Sequence, residues 1–361
     1  ANGKFKELKD IVDGDILVGQ NGQPTTVVKA HEIQLPKKAY SIEFSNGEVI
    51  RAGGEHLWTI RNQRGVRKTV DTDYIFDYMS KYKQPVYIDR VNKPLAGIHK
   101  ELPLDPYFLG LWLGDGGSWQ NVFTTEDKEV LDYVNNWATS RGGYIEQTKY
   151  QNSGKALTYR IKDTDLTDIC IELGIRKTQY ENTGVKHIPE MYFEASYEQR
   201  LELLRGLMDT DGCHHSGGFC IFTQKEGQLC DDVIRLAKSL GWDVTVHETN
   251  PCEFAKPNTK YFNIGISALD NPFKLSRKAN KWKRQTRMTD KVKIKSITEI
   301  EPIPMRCLTV DAEDGQFCIE YTYTVTHNTA TGISAILGQS SQRLELVARM
   351  FAETGLYELF R

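Results

Sequence analysis

Two acids close stretches that read as short, glycine-containing helices: Asp115 in "FLGLWLGDG" and Asp211 in "LRGLMDTDG". An acid at a helix C-terminus opposes the helix dipole, so each is held there at a cost. Brought together, two carboxylates repel unless cations neutralise them. Such a pair with Mg²⁺ suits phosphodiester hydrolysis, where the metal activates water and stabilises the leaving oxygen. A second kind of chemistry is available in the run His327-Asn328-Thr329. An Asn side-chain amide can attack its own backbone carbonyl, closing a succinimide and cutting the chain after Asn328. A neighbouring His can supply the hydrogen bond or proton transfer this needs, and the Thr329 hydroxyl can accept an acyl group. Cys307 offers a third group, since a positioned and deprotonated thiol is a competent nucleophile. A lone His-Asn-Thr or a single strand cysteine would ordinarily mean nothing, so the surrounding elements carry the weight.

Those elements include an internal repeat. "VFTTEDKEVLDYVNNWATSRGGY" from Val122 and "IFTQKEGQLCDDVIRLAKSLGWD" from Ile221 align at an offset of 99, which places Gly142 on Gly241. Each copy follows one of the glycine-containing helices and reads as a short strand, an amphipathic helix, a Gly stop and further strands such as "LTYRIKD" and "YFNIGIS". Two such copies imply a pseudo-two-fold α/β domain. Gly110 and Gly114 lie four apart, with Gly206 matching Gly110. Small residues allow close backbone approach, so the two opening helices are expected to pack on each other and bring Asp115 and Asp211 together. On both sides of this block the chain turns strand-like. "GDILVG", "TTVVKAHEI", "KAYSIEF" and "GEVIRAG" precede it, and "KIKSITEIEP", "MRCLTVDAED", "QFCIEY" and "YTVTHN" follow. A domain inserted into a loop of a small all-β domain gives this arrangement.

The repeated helices resemble the two motifs of monomeric LAGLIDADG homing endonucleases. The resemblance implies metal-binding, catalytic roles for Asp115 and Asp211 with Mg²⁺ as cofactor, and a double-stranded DNA target met by a saddle of strands. "KHIP" at Lys186–Pro189 resembles the family element carrying a catalytic lysine, which falls on Lys186; Lys260 is a weaker candidate in the second half. An inactive domain that still binds DNA is the alternative.

The flanks resemble the horseshoe-shaped Hint fold of inteins, which end in His-Asn followed by a Cys, Ser or Thr of the host. The resemblance implies protein splicing through His327, Asn328 and Thr329. The expected N-terminal pattern departs from the usual one. Ala1 has no nucleophile, and "GGEH" puts Gly53 where Thr is common while keeping His56. Trp58, Cys307 and Thr326 match the W-C-T signature of class 3 inteins, in which the internal Cys307 attacks the carbonyl before Ala1 directly. His56 would then assist departure of the scissile amide, and Trp58 and Thr326 would position Cys307. The histidine common in the block containing "DGQF" is absent, leaving the proton acceptor for Cys307 open. An ordinary intein whose first Cys was changed to Ala explains Ala1, but neither Gly53 nor Cys307. A hedgehog-type autoprocessing domain is disfavoured by host sequence beyond His-Asn-Thr.

The expected architecture is therefore an all-β Hint domain (1–95 and 289–328) split by an α/β LAGLIDADG domain (96–288) of two pseudo-symmetric αββαββα-like units. A helical tail follows (329–361), read as host extein and resembling a bacteriophage portal segment. The partners implied are the DNA target and the host exteins. Composition fits this picture: 39% hydrophobic and 26% charged residues exclude global disorder. No apolar run approaches the roughly 20 residues that cross a bilayer. No leader is evident, so the cytoplasm of a bacterial or phage-infected cell is expected. The seven cysteines lack C-x-x-C pairs, arguing against a disulfide scaffold or zinc ribbon and for mostly buried thiols. Between Lys274 and Lys295 stand ten Lys or Arg against the single acid Asp290, a run that could be a nucleic-acid footprint or a solvated linker.

Overall fold

The computed structural model describes residues 6–91, 93–151, 156–176, 186–215, 219–249, 259–284, 290–319 and 323–327. Ala1, Asn328, Thr329 and the tail lie outside them. The chain is mixed α/β with several antiparallel sheets and divides into two compact units. Among the described residues, one takes those at 6–91 and 290–327, the other those at 93–284.

In the first unit the two flanks interleave. A six-stranded antiparallel sheet has the order Val49–Gly53, Ala39–Phe44, Lys291–Ile300, Tyr87–Asp89, Leu57–Arg61, Arg67–Asp71. The strand from the C-terminal flank thus sits in the middle, pairing Ile297 with Ile42 on one side and Val292 with Ile88 on the other. A smaller sheet pairs Leu308 with Ala30, again across the flanks. Burial of Tyr40, Ile42, Phe44, Trp58, Ile88 and Ile294 holds the larger sheet to its helix, which is how two distant stretches of sequence become one core.

That helix, Thr72–Tyr82, departs from the strand-like reading of the first flank. Asp71 caps it, accepting from Tyr74 N at 2.7 Å, and Lys83 at φ 51° ends it. Tyr74, Tyr78 and Tyr82 then stack along one face at four-residue spacing. A correct cap and an i, i+4 stripe outweigh the β propensity of the tyrosines.

The second unit contains the repeat. The first copy runs through helix Pro106–Asp115, strand Val122–Thr125, helix Lys128–Ser140 and strands Tyr144–Gln151 and Leu157–Lys162. The second runs through helix Tyr197–Asp211, strands Gly212–His214 and Cys220–Lys225, helix Gln228–Ser239 and strands Asp243–Thr249 and Tyr261–Ser267. Gly142 and Gly241, which stop the amphipathic helices, both have φ +79°. The copies differ in one strand: the Gly212–His214 strand completes a four-stranded sheet, whereas the first copy keeps only the isolated bridge Gly116↔Phe123 beside a three-stranded one.

The two opening helices are built to be buried. Asp105 caps the first, accepting from Phe108 N at 3.0 Å with Pro106 at its first position, and residues 107–113 are buried on every side. A Ser196–Gln199 capping box starts the second. They cross where both are glycine. A Cβ on Gly110 would lie 2.3 Å from Leu203 O, and one on Gly206 would lie 2.3 Å from Tyr107 O, so any larger residue forces the helices apart.

The cysteine expectation holds for Cys170, Cys220 and Cys230, which are buried, but Cys213 is exposed. Cys213 lies on the short strand Gly212–His214, whose burial alternates, and its side chain falls on the outer side. Among the described residues no helix is long and apolar enough to cross a membrane.

Candidate functional sites

The crossing sets the geometry of the first candidate site. Asp115 and Asp211 are the last residues of the paired helices and both are exposed. Burial by the surrounding protein pushes the Asp115 carboxyl up to about 6, helped by the charge of Asp211 and opposed by Lys186 and Lys278. Burial likewise raises Asp211 against the same two lysines. Because both side chains reach water, their repulsion is partly screened. Lys186 is half-buried, and its Nζ donates to Gly114 O at 2.8 Å, directly before Asp115. Burial pulls its ammonium down to about 8, against the pull of Asp211 and Asp115.

A divalent cation fits this donor set. Mg²⁺ is commonly held by one or two carboxylates, with waters and substrate phosphates completing its shell. Among the described residues no group of three or more His, Cys, Asp or Glu gathers as a metal site.

Lys260 does not take the place expected for a second lysine. It is exposed, with Nζ 3.7 Å from Glu248. It directly precedes strand Tyr261–Ser267. The lysine at the end of the second motif helix is Lys278, from the basic run. Much of that run is engaged within its own unit: Lys274 with Glu202, Arg277 with Asp127, Lys295 with Glu43. Sequence reading missed Lys278 because a buried lysine looks identical to its solvated neighbours in a charge run.

The second candidate site lies in the other unit, around a cavity of about 720 Å³ whose walls include Gly53, His56, Trp58, Cys307, Thr326 and His327. Three separate parts of the chain reach it. His56 and Trp58 come from the start of strand Leu57–Arg61, Cys307 directly precedes strand Leu308–Val310, and Thr326 and His327 end strand Thr324–His327. The last strand is held in register by Phe317↔Thr326 and Gln316↔His327.

His56 Nε2 meets Thr326 Oγ1 at 2.6 Å, and the His56 ring stands edge-on to Trp58 with centroids 4.9 Å apart. Burial, assisted by the charge of His327, pulls His56 down to about 4, so the imidazole is neutral at physiological pH. Trp58 is fully buried; its Nε1 donates to Thr72 Oγ1 at 3.0 Å, and Thr72 Oγ1 donates in turn to His56 O at 3.1 Å. Trp58 therefore fixes the backbone of His56 through Thr72, which stands fourteen residues from Trp58 and sixteen from His56 and so gave no local sequence signal.

Cys307 is half-buried. Its backbone is pinned from both sides: His31 N donates to Cys307 O at 3.0 Å, and the adjacent Arg306 guanidinium donates to Lys9 O and Ile11 O at 2.8 Å and to His31 O at 2.6 Å. Cys318 differs. Burial raises its thiol far above the normal range and Sγ donates to Gly19 O at 3.5 Å, which makes it an inert structural thiol. Arg306 was also missed, although an arginine directly before a candidate nucleophile is a usable signal.

Comparison with known proteins adds a relative for most of the chain. No protein-family model matches it. Over 351 residues it is 27% identical to a protein named replicative DNA helicase DnaB of Mycobacterium intracellulare, covering 90% of this chain and 56% of that one. A second protein of that name, from Mycobacterium leprae, is 45% identical over 51 residues, 14% of this chain and 8% of its own length. The chain thus spans little more than half of the longer-matching relative. Among solved structures, a complex of I-DmoI with DNA and Ca covers 49% of this chain and 94% of its own at 14% identity and a TM-score of 0.33. The MchDnaB-1 intein covers 19% of this chain and 48% of its own at 34% identity and a TM-score of 0.17. None of these relatives supports the portal-protein resemblance of the tail.

Proposed function

We propose that the chain is an intein of the class 3 type, built on a Hint fold and carrying a LAGLIDADG endonuclease unit. The observation that carries this reading is the convergence of His56, Trp58, Cys307, Thr326 and His327 on one cavity, with the 2.6 Å His56–Thr326 bond tying the first of these segments to the last. The Cys307 thiolate attacks the carbonyl carbon preceding Ala1. The C–N bond breaks, the nitrogen leaves protonated as the α-amine of Ala1, and a thioester forms on Cys307. The acyl group passes to the Thr329 oxygen, Asn328 cyclises with cleavage of its peptide bond, and an O-to-N shift joins the host halves. Neutral His56 is suited to handling the proton of the leaving amide.

The carboxylate pair supports site-specific hydrolysis of double-stranded DNA by the inserted unit. Asp115 and Asp211 would hold a divalent cation, Mg²⁺ in the cell, which supplies activation of water and charge stabilisation at phosphate. Lys186, half-buried and anchored by one bond to Gly114 O, is placed to act at the same centre. The long match to a protein named as a replicative helicase makes such a helicase the host we propose for the flanking exteins.

Intact mass of a precursor with an N-terminal host segment tests the splicing reading. Spliced product in the parent, and precursor with an uncut N-terminal junction in Cys307→Ala, is the expected result. Splicing by Cys307→Ala overturns the class 3 assignment. Splicing in neither protein returns the reading to an ordinary intein with an inactivated first residue, to be restored with Ala1→Cys.

A further inference from the structure

The second motif helix ends in a feature that neither the charge run nor the repeat announced. Lys278 is 8% exposed, and its Nζ donates to Met208 O at 2.9 Å, Asp209 O at 2.7 Å, Thr210 O at 3.2 Å and Gly212 O at 2.7 Å. Asp209 O and Thr210 O are among the carbonyls a helix leaves without intrahelical partners at its C-terminus, Met208 O also accepts from Gly212 N, and with Gly212 O the four flank Asp211 on both sides. An ammonium with three protons shared among four acceptors has none left for substrate. Lys186, at the end of the first motif helix, donates to a single carbonyl.

The segment around Lys278 is held rigidly in place. Asp209 Oδ2 accepts from Lys274 N at 3.0 Å and Leu275 N at 2.9 Å, and also from Tyr107 Oη at 2.8 Å. Arg277 makes a two-pronged pair with Asp127 at 2.7 and 2.8 Å, and Ser276 donates to Glu129 through both its amide and its hydroxyl. A buried lysine is tolerated only where its charge and donors are fully answered. Here the negative end of the helix dipole supplies much of that answer. The reverse also holds: without a cation at this spot, an acid at the last position of the helix would face the full partial charge of the C-terminal carbonyls.

We propose that Lys278 is a positioning residue for the divalent-cation site, its ammonium offsetting the charge of the second motif helix end so that Asp211 can join Asp115 in holding the metal. The two halves of the pseudo-two-fold therefore divide the work of their lysines. Lys278 sets the electrostatics of the site from beneath, and Lys186 remains available at its surface. This inference rests on the endonuclease reading, and the test separates the two.

The probe is Tb³⁺, whose luminescence is sensitised by indole; Trp112 lies one turn before Asp115. The full chain should give a saturable signal that the double variant Asp115→Asn/Asp211→Asn abolishes; if it does not, the cation-site reading fails and this inference with it. Lys278→Gln keeps donors and removes the charge, and is expected to weaken Tb³⁺ binding roughly tenfold while the protein remains folded by circular dichroism. Lys281→Gln, an exposed charge three residues on, is expected to change nothing. Equal affinity in folded Lys278→Gln and the parent overturns the proposal and leaves the cation site standing. Lys278→Arg provides an independent arm should Lys278→Gln fail to fold. It keeps the charge on a different donor geometry, so retained affinity supports the proposal. A loss in a folded Lys278→Arg protein assigns the effect to bond geometry and overturns it.

Discussion

The cavity site and the carboxylate site use one physical cause to opposite ends. In the cavity, burial lowers a base: His56 falls to about 4 and stays neutral. At the paired helix ends, burial raises an acid: Asp115 climbs to about 6. Removing water penalises whichever form is charged. A neutral imidazole is useful for moving protons on a peptide bond. A carboxylate pair resisting ionisation is useful when a cation arrives to be held. The same desolvation keeps an imidazole neutral in one unit and raises a carboxyl in the other.

Removing one carboxylate is the most severe way to break this contrast. On the proposed function, Asp115→Asn is expected to lower DNA cleavage by about a thousandfold or more, because one of the two carboxylates proposed to hold the metal is gone, and to spare splicing. A plasmid-cleavage assay on the target, run beside the splicing assay, reads both. Loss of splicing as well would mean that the units are energetically coupled.

A smaller effect is expected from spoiling the helix crossing while leaving both acids in place. Gly206→Ala puts a methyl 2.3 Å from Tyr107 O and should destabilise its unit by about 3 kcal/mol, measured by urea unfolding. An unchanged unfolding midpoint would show that the helices can separate cheaply.

The mildest prediction concerns pH and sharpens the comparison directly. His56 is lowered from 6.5 to about 4, so the unfolded state binds more protons between those values, and its contribution to stability grows as pH rises through that window. Asp115 is raised from 3.8 to about 6, so the native state binds more protons there, and its contribution is present at low pH and fades as pH rises toward 6. Thermal melts at pH 4.5 and 6 should therefore lose part of their pH dependence in opposite senses in His56→Gln and Asp115→Asn. The same sense in both variants would refute the contrast.

Much of this was legible in the chain because it is local or repeated. The offset of 99 between Val122 and Ile221 exposed two copies of one α/β unit, and Gly142 and Gly241 were recognisable as helix stops that adopt positive φ. Gly110 and Gly206 could be picked out as contact residues because only a backbone crossing needs small residues at matching places. The helix Thr72–Tyr82 was not legible. Its cap is a single Asp, and its tyrosines favour strands unless packing and stacking decide otherwise. Thr72, Arg306 and Lys278 each act through partners distant in sequence, and Lys278 is further masked by the basic run it stands in.

The sequence by itself pointed to Asp115 and Asp211 at helix ends, since periodicity and residue chemistry are properties of short windows, while His56, Trp58, Cys307 and Thr326 stood out through the resemblance of the strand-rich flanks to inteins. Only the tertiary structure decided that Lys291–Ile300 lies between strands of the opposite flank, that the His56 imidazole stops 2.6 Å from Thr326, and that Lys278 rather than Lys260 seals the second motif helix. Those outcomes follow from burial and hydrogen-bond satisfaction summed over the whole fold, where a group's charge and reach are set by neighbours that the local sequence does not contain.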